Sequence, residues 1–319
     1  MRVLITGGSG FLGSHVVSAY LASGHEVTPT RWGRSTTQVS GPSLSRRGAV
    51  LDVTDRPRTA RLVARTKPDL VFHFAGQAFV EPSWRDPSAT MRTNLLGTWN
   101  LLEAVRRTAP RARVVFAGSG TEYGSATRVP TPESAPLQPS TPYAASKAAG
   151  DLLCREYARR YGADTIRLRI FGTTGPGKVG DACNDFASQI ALAESDAGSG
   201  AVRVGRLDRR RDISDVRDAV EAMRTIAERG NPGEAYNVGS GDAVAIREVL
   251  SQLISRAARP LIYRSEGARF RRADEPVHFA DNGRLRALGW RRRFPLSVTL
   301  QGLLDYWRER VRAGVRPVS

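Results

Sequence analysis

The chain opens on a short apolar run, Val3-Leu4-Ile5, which stops at Gly7-Gly8-Ser9-Gly10-Phe11-Leu12-Gly13. Apolar positions then recur at helical spacing through Val16, Val17, Tyr20 and Leu21 until Gly24, and Glu26-Val27-Thr28 reads as a second strand. Strand, glycine turn, helix and strand in that order predict a βαβ unit. The alternation continues with a strand at Asp69-Leu70-Val71-Phe72-His73-Phe74, a helix over about 91–108 and a strand at Val114-Val115-Phe116. A helix after Pro142, running to about Tyr161, and a strand at Thr165-Ile166-Arg167-Leu168 follow. The pattern predicts an α/β protein with a doubly wound parallel sheet covered on both faces. After Gly172 the regularity falls away into the loop Gly175-Pro176-Gly177, a helix over 184–195 and recurrent glycines at Gly198, Gly200 and Gly205. A smaller C-terminal α/β domain is expected to start there. A helix over 215–229 and the segment Glu234-Ala235-Tyr236-Asn237-Val238 are expected to return to the sheet. The main domain is therefore 1–171, completed by about 213–240, and the second is 172–212 with 241–319.

Composition narrows the class. A chain of 319 residues with 40% hydrophobic and 25% charged residues has the make-up of an ordinary globular protein, not of a disordered chain. No apolar run approaches the roughly 18–20 residues of a membrane helix. Entry straight into a strand predicts no signal peptide, and two cysteines, Cys154 and Cys183, point to the reducing cytoplasm. The net charge is +17, yet only Lys67, Lys147 and Lys178 of the 48 basic residues are lysines, and the arginines are spread along the chain. That distribution reads as a solvated arginine-rich surface. It argues against a nucleic-acid partner, which is met more often by basic residues concentrated on one helix or tail. The four histidines show no metal-ligand spacing, so no metal is expected.

Gly7, Gly10 and Gly13, with Phe11 and Leu12 between them, follow a strand and open a helix. This is the context in which glycines give a tight turn and let pyrophosphate approach a helix N-terminus. The second strand leads into Thr28-Pro29-Thr30-Arg31-Trp32-Gly33-Arg34, with no acid for ribose hydroxyls. Arg31 and Arg34 suit a 2′-phosphate instead, so NADP(H) is the expected cofactor and NAD(H) the alternative.

Tyr143-Ala144-Ala145-Ser146-Lys147 lies early in a helix, where a spacing of four puts Tyr143 and Lys147 on one face. A lysine ammonium there is expected to lower the tyrosine pKa and let it exchange a proton with a carbonyl or hydroxyl. Ser119 follows the strand at Val114-Val115-Phe116, at the sheet edge where ligands bind in such folds.

The glycine turn, Ser119, and Tyr143 with Lys147 together resemble the extended short-chain dehydrogenase/reductase family that modifies nucleotide sugars, over nearly the whole chain. The resemblance implies a Rossmann domain and a nucleotide-sugar-binding domain. It implies that Asp52 and Val53 lie at adenine, that Phe74, Ala75 and Gly76 pass beside the cofactor, and that Asn94 opens a helix near it. Three segments, Gln77–Trp84, Phe186–Ala191 and Val204–Leu207 leading to Asp218, look closer to the GDP-mannose branch of the family. That branch contains a 4,6-dehydratase and a 4-keto-6-deoxymannose reductase, and it prefers NADP(H). The substrate contacts it implies are Gln77, Val80, Ser119, Gly120, Asn184, Arg206, Arg211, Arg271 and Asp274. Tyr143 and Lys147 would also touch the cofactor.

The family's dehydratases carry Glu two residues before the Tyr of a Tyr-Gly pair. Here Thr121 holds that position and Glu122 comes one later, where in an extended segment its side chain points the opposite way. The expected reaction is therefore reduction of GDP-4-keto-6-deoxy-D-mannose to GDP-D-rhamnose. A nucleotide-sugar 4-epimerase, or less so a 4,6-dehydratase, is the alternative. Two positions depart from the pattern: Gly172 and Arg206 stand where relatives carry Asn. The resemblance further implies a homodimer joined through the helices near 91–108 and 143–160, and Cys183 is expected to be a packed thiol.

Overall fold

The computed structural model describes residues 1–33, 48–195, 200–270 and 275–315. The first half alternates as expected: β1 (Arg2–Thr6), α1 (Phe11–Ala22), β2 (Glu26–Arg31), β3 (Ala49–Val50), α2 (Arg56–Thr66) and β4 (Leu70–His73). Two short helices, α3 (Val80–Arg85) and α4 (Pro87–Met91), lead through one wide π-helical turn at Arg92–Leu96 into α5 (Gly97–Thr108). The single helix expected over 91–108 is thus interrupted, and the wide turn carries the buried Asn94. Then come β5 (Arg113–Ala117), α6 (Pro142–Tyr161) and β6 (Thr165–Ile170).

With the strand Ala235–Val238, these strands form a seven-stranded sheet in which every pairing is parallel. From one edge the order is Ala235–Val238, β6, β5, β4, β1, β2, β3. The chain winds outward from β1 through β2 and β3, then returns to place β4 against the other side of β1. The strand order reverses there, and the carboxyl ends of β1 and β4 frame the crevice where open α/β sheets bind ligands. Every residue of β4 is buried, as a sheet covered on both faces requires.

One face packs against α1 and α8 (Val216–Arg229) through Val16, Tyr20, Met223 and Ile226. The other packs against α2, α5 and α6 through Val63, Leu101, Leu102 and Cys154. A separate core gathers α7 (Ala182–Glu194), the strand Ala201–Val204, α9 (Ile246–Ile254) and α11 (Leu296–Arg312) around Phe186, Val202, Leu253 and Leu300. Leu285, on the short helix α10 (Gly283–Ala287), and Trp290 lie in the stretch assigned to the second domain, yet they join the sheet's core. The Trp290 indole donates to the Asp218 carbonyl at 3.1 Å. Among the described residues no helix is long and apolar enough to cross a membrane, and no cluster of metal-ligating side chains occurs.

Candidate active site

β1 ends in a turn whose Gly7 has φ +69°, a conformation that side chains resist. A Cβ on Gly7 would sit 2.6 Å from the Ala75 nitrogen, and one on Gly13 would run into the Gly7 carbonyl oxygen. These glycines let the turn, α1 and the end of β4 touch. Gly10 differs, because an added Cβ would meet only the Gly7 oxygen, at 3.2 Å. Backbone is left open to a ligand there. α1 starts after Gly10 with no side-chain cap and no acid in its first turn, so the N–H groups of Phe11, Leu12 and Gly13 lack intrahelical partners. At the end of β2, Arg31 is half-buried and its Nε is buried without a hydrogen-bond partner. An open glycine cradle, an uncapped helix start and an unpaired guanidinium nitrogen fit a phosphorylated dinucleotide.

The expected Arg34, Arg271 and Asp274 lie outside the described residues. Asp52 is exposed, and one carboxylate oxygen accepts from the Thr54 N–H at 2.9 Å and hydroxyl at 2.7 Å, leaving the other open. Val53 is buried against Gly97. His73 is held between the Thr6 hydroxyl at 2.7 Å and the Thr98 hydroxyl at 3.0 Å. Burial drives its pKa down to about 3, with the Lys147 charge adding to the shift. Phe74 stacks on Phe72, and Ala75 and Gly76 follow as a partly exposed stretch.

α6 starts cleanly. The Thr141 hydroxyl caps the Ala144 N–H at 3.0 Å, and Pro142 occupies the first turn, where its missing N–H is no loss. Tyr143 and Lys147 therefore project from its first turns. The Lys147 ammonium is buried, donates to the Ala117 carbonyl at 2.8 Å and lies 5.4 Å from the Phe116 ring centre. Desolvation presses its pKa down to about 8, against an opposing pull from Glu122. Ser119 lies near enough to the Tyr143 hydroxyl to act on its pKa, so the three side chains gather at the carboxyl end of β5.

One electrostatic expectation is reversed. Burial raises the Tyr143 phenol to about 12; the nearby Ser119 only moderates this and Glu122 adds to it. Desolvation thus decides the shift, and the tyrosine rests as a neutral proton donor. The segment after Ser119 is also not extended. It is a 3₁₀ turn over Gly120–Tyr123, closed by a capping box in which Glu122 accepts the Ser119 N–H at 2.7 Å. Thr121 keeps its hydroxyl on Ser119 at 2.9 Å, while Glu122 is fully buried.

Several expected contacts are already taken up by the protein. The Asn94 amide accepts from the Gln77 N–H at 2.7 Å and donates to Ser146 at 2.8 Å and to the Gln77 carbonyl at 3.1 Å. It orients the loop after β4 through that loop's backbone. The Gln77 side chain bonds both backbone groups of Phe79, and Val80 opens α3. Asn184 is buried, donates to Thr174 and the Gly175 carbonyl, and accepts from the Trp307 indole at 3.0 Å. These bonds tie Asn184 of α7 to the Thr174–Gly175 segment and to α11. Arg206 is exposed over Phe270, and Arg211 sits on a two-residue strand paired with Val277–His278. Cys183 is buried in the second core, its thiol pushed well above the usual range by desolvation.

Sequence reasoning missed His278. Its ring stacks on Phe171 at 4.6 Å and its Nε2 lies 3.0 Å from the carbonyl oxygen of Gly120, whose added Cβ would meet both rings. No local pattern announces a contact 158 residues apart.

Residues 3–239 match the model of the NAD dependent epimerase/dehydratase family. The chain belongs to that family. It is the extended short-chain dehydrogenase/reductase family that the sequence resembles. The chain is similar to GDP-6-deoxy-D-mannose reductase of Pseudomonas aeruginosa, 32% identical over 98% of both chains. It is also similar to UDP-glucose 4-epimerase of Mycolicibacterium smegmatis, 29% identical over 97% of this chain and 99% of the other. Among solved structures it resembles RMD of P. aeruginosa complexed with NADPH, with TM-score 0.84 and 30% identity over 97% of this chain and all of the other. UDP-glucose 4-epimerase of Thermotoga maritima with UDP-glucose matches at TM-score 0.85 and 26% identity, over 98% of this chain and all of the other. Family members of this kind are nucleotide-sugar reductases, epimerases and dehydratases, all on one scaffold.

Proposed function

We propose that this family member is an NADP(H)-dependent reductase that converts GDP-4-keto-6-deoxy-D-mannose to GDP-D-rhamnose. The observation that carries the reading is the cluster at the end of β5. Ser119 and a neutral Tyr143 meet there beside Lys147, with the Thr121 hydroxyl on the Ser119 hydroxyl and the Glu122 carboxyl fully buried on the Ser119 backbone N–H. Such a site donates a proton to a carbonyl oxygen and has no second base there to remove water from the sugar. Similarity to the P. aeruginosa reductase supports the GDP-linked donor.

Bound NADPH would supply the hydride. The α1 N-terminus and the Gly7–Gly13 turn would hold its diphosphate, and Arg31 its 2′-phosphate. Ser119 would orient the ketone oxygen toward Tyr143. A phenol held at about 12 stays protonated at neutral pH, and its proton moves downhill to the more basic alkoxide formed at carbon 4. Lys147 would bind the nicotinamide ribose and place positive charge beside the transfer. The second core, with Arg206 and Arg211 at its edge, would hold the nucleotide sugar. Two buried free cysteines suit the cytoplasm, and the exposed Leu96 and Leu152 beside α5 and on α6 suit a homodimer.

Nicotinamide absorbance tests the reading. Purified protein mixed with NADPH and enzymatically prepared GDP-4-keto-6-deoxy-D-mannose should oxidise the cofactor, and Tyr143→Phe should abolish oxidation while retaining NADPH binding. No oxidation, with UDP-glucose epimerised on copurified cofactor, would make the protein a 4-epimerase instead.

A further inference from the structure

Ser119 is presented by three residues, Ala117-Gly118-Ser119, that leave β5 between two buried ionisable groups, a lysine and a glutamate. On one side the Lys147 ammonium donates to the Ala117 carbonyl at 2.8 Å. On the other, Glu122 Oε1 accepts the Ser119 N–H at 2.7 Å. Between them Gly118 leaves no room, since a Cβ would lie 2.5 Å from Glu122 Oε1 and 2.6 Å from the Leu168 carbonyl. Glu122 is 0% exposed, and its other oxygen has no hydrogen-bond partner. The nearest cation to that oxygen is Arg169 Nε at 3.8 Å. That guanidinium is committed to Asp151, Tyr123 and the Glu133 carbonyl.

A backbone cap alone needs only an acceptor, which a glutamine would supply. An ionisable acid buried with one oxygen unpaired is costly unless a nearby opposite charge compensates it. We infer that Glu122 is a positioning residue, the buried counter-charge of Lys147 across the Ala117–Ser119 backbone, which holds Ser119 and keeps the charge on Lys147. The inference rests on the reading that Ser119, Tyr143 and Lys147 are the reacting set.

The surroundings agree with it. Tyr143, Lys147, Asp151 and Cys154 of α6, Arg169 of β6 and the neighbouring Tyr123 all act on Glu122 or respond to it. Burial, with Asp151 beside it, lifts Glu122 to about 8, while burial lowers Lys147 to about 8. As pH rises through that range, loss of the Glu122 proton strengthens the hold on the lysine proton, so Lys147 stays charged further into alkali. His73 and Cys154 are the other titratable groups acting with Lys147, and neither supplies a carboxylate.

The experiment uses the scarcity of lysine. With three lysines in the full chain, ¹³Cε-lysine labelling gives three resonances, and Lys147→Met identifies the one that matters. Its titration midpoint should fall by roughly 0.5–1 pH unit in Glu122→Gln, a variant that keeps an acceptor for Ser119. An unchanged or raised midpoint would overturn the inference. Given reductase turnover, Glu122→Gln should move the alkaline limb of kcat to lower pH. Glu122→Val should lose at least about tenfold in kcat with NADPH affinity unchanged, because the cap is also gone. A shifted midpoint in a protein that fails to reduce the keto sugar would leave the Glu122–Lys147 pairing standing and defeat only the substrate assignment.

Discussion

Asp151→Asn offers the sharpest test of what holds the site's floor together. Asp151 is fully buried on α6 and accepts from Arg167 Nη1 at 2.7 Å and from Arg169 Nε and Nη2 at 2.9 and 3.2 Å. Both guanidinium side chains are under a tenth exposed, at 8% and 6%. The substitution keeps the volume and removes the one carboxylate between two buried cations. Breaking such a pair costs about 3–5 kcal/mol, because the orphaned charges stay desolvated. Glu122 offsets part of this. Its second oxygen lies 3.8 Å from Arg169 Nε, and repulsion from Asp151 helps keep it protonated, so without Asp151 it ionises more readily. The expected loss is therefore at the low end, about 3 kcal/mol. At roughly 2 °C per kcal/mol for a chain of this size, the melting temperature should fall by roughly 6 °C. Urea unfolding followed by tryptophan fluorescence and a thermal melt, both at neutral pH, measure it. Asp69→Asn is the control, because the Arg2–Asp69 pair is 46% exposed on both sides and should cost at most about 1 kcal/mol. A loss for Asp151→Asn no larger than the control's would refute the reasoning.

Arg31→Ala should weaken NADPH binding by roughly tenfold to a hundredfold, the worth of a lost charge-assisted contact, with NADH binding unchanged. Fluorescence titration with each cofactor checks it, and equal losses would show that Arg31 does not read the 2′-phosphate. His73 makes a pH prediction. Its pKa falls from 6.5 to about 3 on folding, so below about pH 6.5 the unfolded chain takes up a proton that the folded one refuses. The unfolding free energy should decline by roughly 1.4 kcal/mol per pH unit from that group, levelling off near pH 3, and His73→Gln should make the acid slope shallower. An identical slope in the variant would remove His73 from the account.

Much of the fold is legible in the order of residues. Short apolar runs locate β1, β4, β5 and β6, which are buried on both faces of the sheet, and helical spacing locates α1 and α6. The same patterns do not reveal the helices past residue 240, since α9 and α11 bury their stripes against α7 and one another, away from any repeating βα pattern. At the site, Gly7, Gly13, Tyr143 and Lys147 announce themselves through local spacing. Asn94, Gln77 and Asn184 carry the right residue types, but their polar atoms are bonded within the protein.

Local order along the chain thus dictates the α/β class, the glycine turn and the proximity of Tyr143 to Lys147, because all three depend on neighbours within a few residues. Protonation and partnership belong to the folded molecule. Burial, a property of the whole fold, puts the Tyr143 phenol near 12 and brings Glu122 and Lys147 to about 8 from opposite sides. Folding also brings His278 to the Gly120 carbonyl and sets two arginines on Asp151, contacts whose strength comes from the loss of water.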